Sequence, residues 1–320
     1  MTKPLLHKDM TEYYQNSWFE EDRRHQASWF KRLIYFFGRP LLSVYARRYL
    51  SLKTLKTLNP SLVLPGRGMP LKTCRLWGSA FCNIREATVL VQGTGTGWDV
   101  LSWARLRPKK IIATDLFEFK ESWDQIAIYC ANSLGVSVEF RQSSLEDHSF
   151  LADASVDLCA SDNVFEHCKD LRSVLEESFR ILKPGGTLYA AYDPLWFCAG
   201  GDHFSGRGGL KNAFNHILLS QEDYQQYFYN FRQVNEDFQS GGRYVEIDLF
   251  SKLTTKDYCD LFQEAGFLIE SLILGISPRS LAFKAEFPES FFDIVNKLKE
   301  QCTVDDLLIK ANWVRLIKPN

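Results

Sequence analysis

The chain has 320 residues, of which 45% are hydrophobic and 24% are charged, so it can bury a full core and has the composition of a globular protein. No uncharged apolar run approaches the roughly 18 residues of a membrane span, and the N-terminal residues lack the apolar segment of a signal peptide. Eight scattered cysteines without a CxxC pair favour reduced thiols over a disulfide framework or a zinc knot, so a cytoplasmic location is predicted.

The N-terminal part of the chain is basic, although the net charge is only −1. From Arg23 to Arg85 there are thirteen lysines and arginines and no acid, whereas residues 86–320 carry 34 acids against 23 bases. An acidic body therefore carries a basic N-terminal segment, which we define as a helical cap over residues 1–80.

Apolar residues at three- and four-residue spacings predict two helices in this cap, over 27–37 and 41–55, separated by Gly38-Arg39-Pro40. Residues 59–73 contain three prolines and two glycines and are predicted to form a linker.

From residue 88 onward, predicted strands and helices alternate. This alternation is typical of a doubly wound, mostly parallel sheet, whose ligands bind outside the carboxyl ends of the strands. The Gly-, Phe- and His-rich residues 194–253 break the alternation and are predicted to be an insertion. The predicted strands are 88–92, 110–115, 136–141, 156–162, 187–193, 267–276 and 311–319, and the predicted helices are 98–106, 118–134, 170–182, 254–266 and 289–301.

A glycine-rich turn, "GTGTG" (93–97), joins the first of these strands to its helix. Such a turn lets a nucleotide approach the backbone, but alone it is a weak signal. Asp115 ends the next strand, where a carboxylate can accept hydrogen bonds from the two hydroxyls of a ribose, although it can equally cap the following helix. The GxGxG spacing differs from the GxGxxG of nicotinamide sites, which disfavours a dehydrogenase.

The segment "VDLCASDNVFEHCKDLRSVLEESFRILKPGGTLY" (156–189) carries the strongest resemblance. With its Glu166-His167 pair and its "LKPGG" (182–186), it resembles the class I S-adenosylmethionine-dependent methyltransferases of the small-molecule, type 11-like group. The resemblance covers about 86–193 and resumes in the later elements. It implies a seven-stranded, Rossmann-like methyltransferase domain over residues 81–320, with the insertion at 194–253.

The resemblance implies S-adenosylmethionine as the cofactor and a role for each matching position. The turn would approach the methionyl part, Asp115 and Leu116 would hold the ribose and the adenine, and Asp162 would line the methionine end. The full implied set is Gly93, Thr94, Gly95, Gly97, Asp115, Leu116, Ser144, Leu145, Asp162 and Asn163. Two departures from the family pattern are Val91, where an acid is usual, and Ser144, where an Asp is frequent; Gln92 and Ser144 retain hydrogen-bonding capacity.

Four residues are candidates for handling the acceptor's proton, because methyl transfer to a hydroxyl or ammonium needs a base near the carboxyl ends of the fourth and fifth strands. His167 and Asp193 follow those strands, and His203 and His216 lie in the insertion. Each has an alternative structural interpretation as a cap or a packed side chain. The spacing of His203 and His216 matches no tight metal motif, so no metal is predicted.

Four interpretations of the basic segment stay open: a solvated face against the acidic body, a lid over the acceptor, a membrane-surface contact through residues 23–56, or a nucleic-acid surface. The lid is preferred, and no nucleic-acid partner is expected. The chain is predicted to methylate an oxygen, or a nitrogen, of a small-molecule or glycan-type acceptor. The alternatives are an adenosyl-ligand-binding fold without methyl transfer, a membrane-recruited binding module and a nicotinamide oxidoreductase.

Overall fold

The computed structural model describes residues 29–66, 69–231 and 250–320, and its centre is one sheet of eight strands. The strands are β1 Leu62–Pro65, β2 Thr88–Gln92, β3 Lys110–Asp115, β4 Ser137–Gln142, β5 Val156–Asp162, β6 Leu182–Tyr192, β7 Leu268–Ile276 and β8 Ile309–Ile317. Their order across the sheet is β1-β7-β8-β6-β5-β2-β3-β4. Only β8 runs antiparallel to its neighbours, β6 and β7. The predicted mostly parallel sheet is confirmed, with one strand more than the seven expected.

Helices cover both faces of this sheet. They are α1 Trp29–Arg47, α2 Leu52–Leu58, α3 Leu71–Gly78, α4 Trp98–Ala104, α5 Lys120–Tyr129, α6 Leu171–Ile181, α7 Asn215–Leu218, α8 Gln221–Phe231, α9 Thr255–Glu264, α10 Pro278–Glu286 and α11 Pro288–Leu298. Because successive strand residues point to opposite faces, Leu90 packs in the layer under α1, α6 and α9, while Val89 and Val91 pack in the layer under α3, α4 and α5. The doubly wound arrangement follows from these two apolar layers.

The extra strand, β1, lies in the residues predicted to be a linker. Leu62 to Pro65 pair in parallel with Ile273 to Ile276 of β7 at the edge of the sheet. Pro65 is tolerated because it ends an edge strand, where its missing N–H removes no ladder bond that the strand requires. The linker prediction for 59–73 was therefore wrong over these four residues and over residues 71–73, which begin α3.

Helix α1 is continuous from Trp29 to Arg47, with Pro40 inside it, so the predicted break at residues 38–40 was wrong. Pro40 costs the helix a backbone hydrogen bond. The second half of the helix is held by tertiary contacts instead: Ala46 is buried in the core, and the buried Ser43 accepts a 3.0 Å hydrogen bond from the backbone N–H of Val63 in β1. None of the described helices is long and apolar enough to cross a membrane.

The chain after β6 builds a separate apolar cluster outside the sheet. Phe197, Phe214 and Ile217 pack there against Phe283 of α10 and Phe291 of α11. The aromatic run 224–231 is helical, and its Tyr224 and Tyr227 are buried. The domain boundary at residue 80 and the insertion limits at 194 and 253 stay predictions, and the insertion's residues 232–249 lie outside the described part of the chain.

Candidate active site

The glycine turn after β2 has the backbone geometry that only glycine adopts without strain at several positions. Gly93, Gly95 and Gly97 have φ values of 68°, 52° and 96°, in the left-handed region. A Cβ on Gly93 would also come within 2.3 Å of the Val164 side chain, which follows β5. The turn and the end of β5 are therefore in direct contact, as binding of one cofactor across both strands requires.

Neighbouring side chains hold this turn in place. The buried Thr94 donates its hydroxyl to Asp99 at 2.8 Å, and its N–H donates to the carbonyl of Thr114 at 3.0 Å. The indole of Trp123 in α5 donates to the carbonyl of Gly95 at 2.7 Å. The turn is thus preformed, with its direction fixed from α4, β3 and α5.

Asp115 lies at the end of β3, facing the turn. Its Oδ2 accepts from the N–H of Gly95 at 2.7 Å, and its Oδ1 accepts from the N–H of Phe117 at 2.9 Å. Burial raises the pKa of this carboxyl, and the backbone N–H groups lower it in part. Each oxygen of a carboxylate accepts more than one hydrogen bond, so Asp115 keeps capacity for the hydroxyls of a ribose. Leu116 and Phe117, directly after it, are exposed apolar side chains.

The adenine loop predicted after β4 begins beside Asp115, because the N–H of Ser143 donates to the carbonyl of Asp115 at 2.9 Å. Ser144 is half-buried, and its hydroxyl accepts a 3.3 Å hydrogen bond from the N–H of Glu146. Leu145 packs against the apolar layer of α6 and α9. Ser144 and Leu145 thus lie at the same end of the sheet as Asp115, where the parallel strands end.

His148 fastens the end of this loop to the sheet. Its ring is fully buried, with Nε2 3.3 Å from the hydroxyl of Thr114, and the backbone N–H of His148 donates to Oε1 of Glu177 in α6 at 2.7 Å. Burial lowers the pKa of the His148 imidazole to about 4. The ring is therefore neutral in the folded protein over the range in which a histidine of the unfolded chain takes up its proton.

We expect the free energy of unfolding to fall by about 3 kcal/mol between pH 6.5 and pH 4 on account of His148 alone, because the unfolded chain binds the proton that the folded ring excludes. This stability is present above pH 6.5 and is lost as the pH falls towards the folded pKa of about 4. The variant His148→Gln should be less stable at pH 7 but should lose less stability on acidification. Urea unfolding of both proteins at several pH values measures the difference, and parallel pH profiles would contradict the assignment.

Asp162, at the end of β5, is held by a buried arginine that the sequence analysis did not single out. Arg75 of α3 is 1% exposed and places its Nη1 2.5 Å from Oδ2 of Asp162. Tyr189 donates to the other carboxylate oxygen at 3.0 Å. Asn163, the next residue, is exposed with φ 56°, and its N–H donates to the carbonyl of Ala191 at 2.7 Å. The pair Arg75–Asp162 therefore fixes the carboxylate beside the glycine turn.

The two residues before the turn point away from it. Val91 is fully buried in the apolar layer. The amide of Gln92 donates to the hydroxyl of Ser178 in α6 at 3.0 Å. The side-chain carbonyl oxygen of Gln92 has no partner among the described residues, so whether Gln92 replaces the missing acid of the family pattern stays a prediction.

Three of the four predicted acceptor-side residues lie near the carboxyl ends of β5 and β6. His167 is half-buried in the 3-10 turn Phe165–His167, and its ring centroid is 5.0 Å from that of the exposed His203. Asp193 follows β6 and pairs with Lys310 at 2.8 Å. The rings packed against it on one side partly desolvate the imidazole of His203 and lower its pKa below the usual value, while the charges of Asp202 and Asp193 raise it in part.

His216 is placed differently from what the sequence suggested. Its side chain is buried, with Nε2 2.9 Å from the carbonyl of Trp196 and Nδ1 3.6 Å from the carboxylate of the buried Asp202. Asp202 is further bound by Tyr224 and by Ser205. This environment gives His216 a structural position inside the insertion, because no face of the ring is open to an acceptor. His216 is therefore removed from the candidate proton acceptors.

Residues 90–190 match the protein family described as "Methyltransferase domain". The chain is 34% identical over 100 residues to malonyl-[acyl-carrier protein] O-methyltransferase of Yersinia pestis, covering 31% of this chain and 34% of that protein. It is 35% identical over 112 residues to arsenite methyltransferase of Aquipseudomonas alcaligenes, covering 32% of this chain and 31% of that protein. The chain thus spans about a third of the length of the curated relatives it matches.

Among solved structures, the chain is similar to an arsenic(III) S-adenosylmethionine methyltransferase from Chlamydomonas reinhardtii, with 17% identity, a TM-score of 0.45, and coverage of 87% of this chain and 73% of that one. The match of residues 90–190 to a methyltransferase domain confirms, for this segment, the predicted resemblance to class I S-adenosylmethionine-dependent methyltransferases and the cofactor that it implies.

Proposed function

We propose that the chain transfers a methyl group from S-adenosylmethionine to an oxygen, or to a nitrogen, of a small-molecule or sugar-containing acceptor. The observation that supports this best is that the glycine turn at 93–97 and the side chains able to accept a proton lie together at the carboxyl end of the sheet. The turn at Gly93 touches the residue after Asn163, and the same end carries His167, Asp193 and His203. An oxygen acceptor also agrees with the name of the Yersinia pestis relative.

The residues present fit the cofactor. Asp115 offers free acceptor capacity towards a ribose, and the exposed Leu116 and Phe117 offer an apolar surface for an adenine. Asp162 is oriented by Arg75 and Tyr189 towards the end of the sheet where the methionyl part would lie. When bound, S-adenosylmethionine supplies a methyl group on a positively charged sulfur.

The chain's own residues then have two tasks, which are to position the acceptor and to take its proton. A ring that is neutral at pH 7 can accept that proton on nitrogen, and His203 meets this condition with an exposed side chain. His167 lies beside it, at the end of β5.

We expect His203→Ala and His167→Ala each to lower turnover at least tenfold, about 1.4 kcal/mol in the barrier, with little change in cofactor affinity. Since burial lowers the pKa of His203, the acidic limb of the pH–rate profile should fall below pH 6.5, where the protonated ring no longer accepts a proton. Both variants should unfold at the wild-type urea concentration. Folded variants with wild-type turnover would contradict these roles.

The function itself is tested with S-adenosylmethionine that carries a labelled methyl group. The purified protein is incubated with a panel of sugars, phenols, carboxylic acids, amines and arsenite, and the label is followed into each acceptor. Label in a hydroxyl- or amine-bearing acceptor supports the proposal. Binding of the cofactor without transfer to any acceptor favours the alternative of an adenosyl-ligand-binding fold, and label in arsenite alone contradicts the proposed acceptor class.

One observation favours a second, additional function for the N-terminal helix. Five apolar side chains of α1 follow helical spacing along one face, and all are exposed, with Phe37 at 67%, Leu41 at 76% and Val44 at 69%. The opposite face carries the buried Ser43 and Ala46. The remaining exposed members of the apolar face are Leu33 and Tyr45.

An apolar stripe that faces solvent, on a helix within a basic segment that lacks acids, is similar to helices that lie in the surface of an anionic membrane. Arg39 and Arg48 lie over the rings of Phe36 and Tyr45, and no acid occurs from residue 23 to residue 85. We therefore propose an anionic bilayer as the partner of α1. The lid preferred from the sequence becomes the alternative outcome.

The full-length protein should float with vesicles of phosphatidylglycerol and phosphatidylcholine, and flotation should weaken as salt screens the charges. Phe37→Ser with Leu41→Ser should abolish it, whereas Phe292→Ser, a change at an equally exposed phenylalanine on α11, should not. Absence of flotation, combined with a loss of turnover in the α1 variant, would instead support the lid.

A further inference from the structure

Glu166 is a buried acid for which neither the fold nor the proposed methyl transfer accounts. It is 1% exposed, and no side chain among the described residues donates a hydrogen bond to its carboxylate, whose only donors are the weakly placed backbone N–H groups of Glu166 itself and Asp193. An ionised carboxylate in such surroundings is strongly destabilised unless a cation or several donors compensate it. Burial raises the pKa of Glu166 well above its usual value, and the backbone N–H groups of Glu166 and Asp193 lower it only in part.

Two histidines lie beside this carboxylate. One ligand atom from each of Glu166, His167 and His203 can be chosen so that the three atoms lie within 4.8 Å of one another. Ligands bound about 2.1 Å from a tetrahedral ion lie about 3.4 Å apart. The three groups therefore need to close by up to about 1.4 Å to share such an ion.

The backbone and the surroundings favour this arrangement. His203 has φ 64°, in the left-handed region that histidine adopts more often than most residues. Its ring centroid lies 5.0 Å from that of His167, and Phe250 packs against both imidazoles, with centroid distances of 4.9 and 5.4 Å. The apolar ring shields the cluster on one side while His203 remains exposed on the other.

We propose that Glu166, His167 and His203 bind one divalent transition-metal ion, such as Zn²⁺ or Co²⁺. Two imidazoles and one carboxylate form a ligand set that such ions accept, and three protein ligands leave coordination positions open to an oxygen of water or of the acceptor. The ion would provide the positive charge that the buried carboxylate of Glu166 lacks. While it is bound, the histidine nitrogens that hold it would not accept a proton, so the proton-accepting role proposed for these rings applies to the metal-free chain.

Nearby acids are less suitable as ligands because each is already bound. Asp193 pairs with Lys310, and Asp202 binds Ser205 and Tyr224. His216, which the sequence placed with these groups, contacts Asp202 and the carbonyl of Trp196 instead. The ion's ligands from the chain are therefore the three named residues.

The experiment uses the full chain, stripped with a chelator and dialysed, and titrated separately with Zn²⁺ and Co²⁺. We expect close to one metal ion per chain by elemental analysis and a visible absorption band from bound Co²⁺. Glu166→Gln keeps the shape of the side chain but removes its charge, and His203→Asn suits the left-handed backbone conformation. Each should weaken metal binding at least tenfold, whereas Glu222→Gln, at an exposed glutamate of α8, should bind as the wild type does.

Failure to bind either ion, or unchanged binding in both cluster variants, would overturn the proposal. His203→Asn keeps the test valid if Glu166→Gln fails to fold, because His203 is exposed. The metal site itself does not depend on the proposed function. The statement that the acceptor can reach the ion does rest on it. Metal binding without methyl transfer to any acceptor would contradict the proposed function and support the metal site. Methyl transfer by a chain that binds no metal would support the proposed function and contradict the metal site.

Discussion

Replacement of Arg75 by leucine is expected to lower the free energy of unfolding by about 3 kcal/mol, at the lower end of the range for breaking a buried ion pair. The change would leave Asp162, which is 16% exposed, without its 2.5 Å partner. It would also remove the 2.8 Å hydrogen bond from Nε to Ser102 and the contact of the guanidinium with the Trp103 ring. Urea unfolding at pH 7 measures the loss.

The matched control is Arg172→Leu. Arg172 pairs with Glu264 on the surface, with the two side chains 50% and 51% exposed, and exposed pairs contribute about 0–1 kcal/mol. If Arg75→Leu shifts the unfolding midpoint no further than Arg172→Leu does, the buried pair is not the support for Asp162 that the geometry indicates. At a temperature low enough for Arg75→Leu to stay folded, this variant should also bind S-adenosylmethionine more weakly than the wild type, because Asp162 loses its orientation.

Replacement of Asp115 by alanine is expected to remove most of the thermal stabilisation that S-adenosylmethionine and S-adenosylhomocysteine confer. A ligand at a hundred times its Kd stabilises the folded state by about 2.7 kcal/mol. Two hydrogen bonds to a charged group contribute roughly 1.5–3 kcal/mol each, so their loss weakens binding about a hundredfold or more. Little stabilisation would then remain at the same ligand concentration.

Glu118→Ala serves as the control for Asp115→Ala, since Glu118 is an exposed acid three residues further along the chain. It should keep the wild-type shift. Equal shifts in both variants would show that Asp115 does not hold the ribose. Stabilisation by nicotinamide nucleotides and not by adenosyl ligands would contradict the predicted cofactor as well.

The elements from β2 to β6 are predictable from the sequence because local signals agree there. Short apolar runs bounded by Gly, Pro and Asp mark the strands, and the turn at 93–97 and the acid at Asp115 come at the right places along them. The sequence analysis placed the start of β6 at residue 187, whereas the strand begins at Leu182, since proline and glycine at its start read locally as a turn.

The features that the sequence did not reveal depend on contacts between distant residues. Arg75 and Asp162 are 87 positions apart, and Arg75 looked like one more member of a basic, solvated segment. His216 appeared to be a candidate base because histidines are few, but its burial is set by Asp202 and Trp196. Neither contact produces a periodic pattern in the sequence, so only the folded structure distinguishes a buried charge or ring from an exposed one.

The short strand β1 also determines which strand of the sheet other molecules can reach. Without it, β7 would be the edge strand, and β7 has the consecutive buried apolar residues Leu272, Ile273 and Leu274. An exposed edge of this kind presents unpaired backbone groups to any other extended chain, and it is a common route to aggregation. β1 covers that edge with four residues and ends in Pro65, which cannot donate a hydrogen bond to a further strand. The same segment that the sequence presented as a linker thus protects the sheet from pairing with a second molecule.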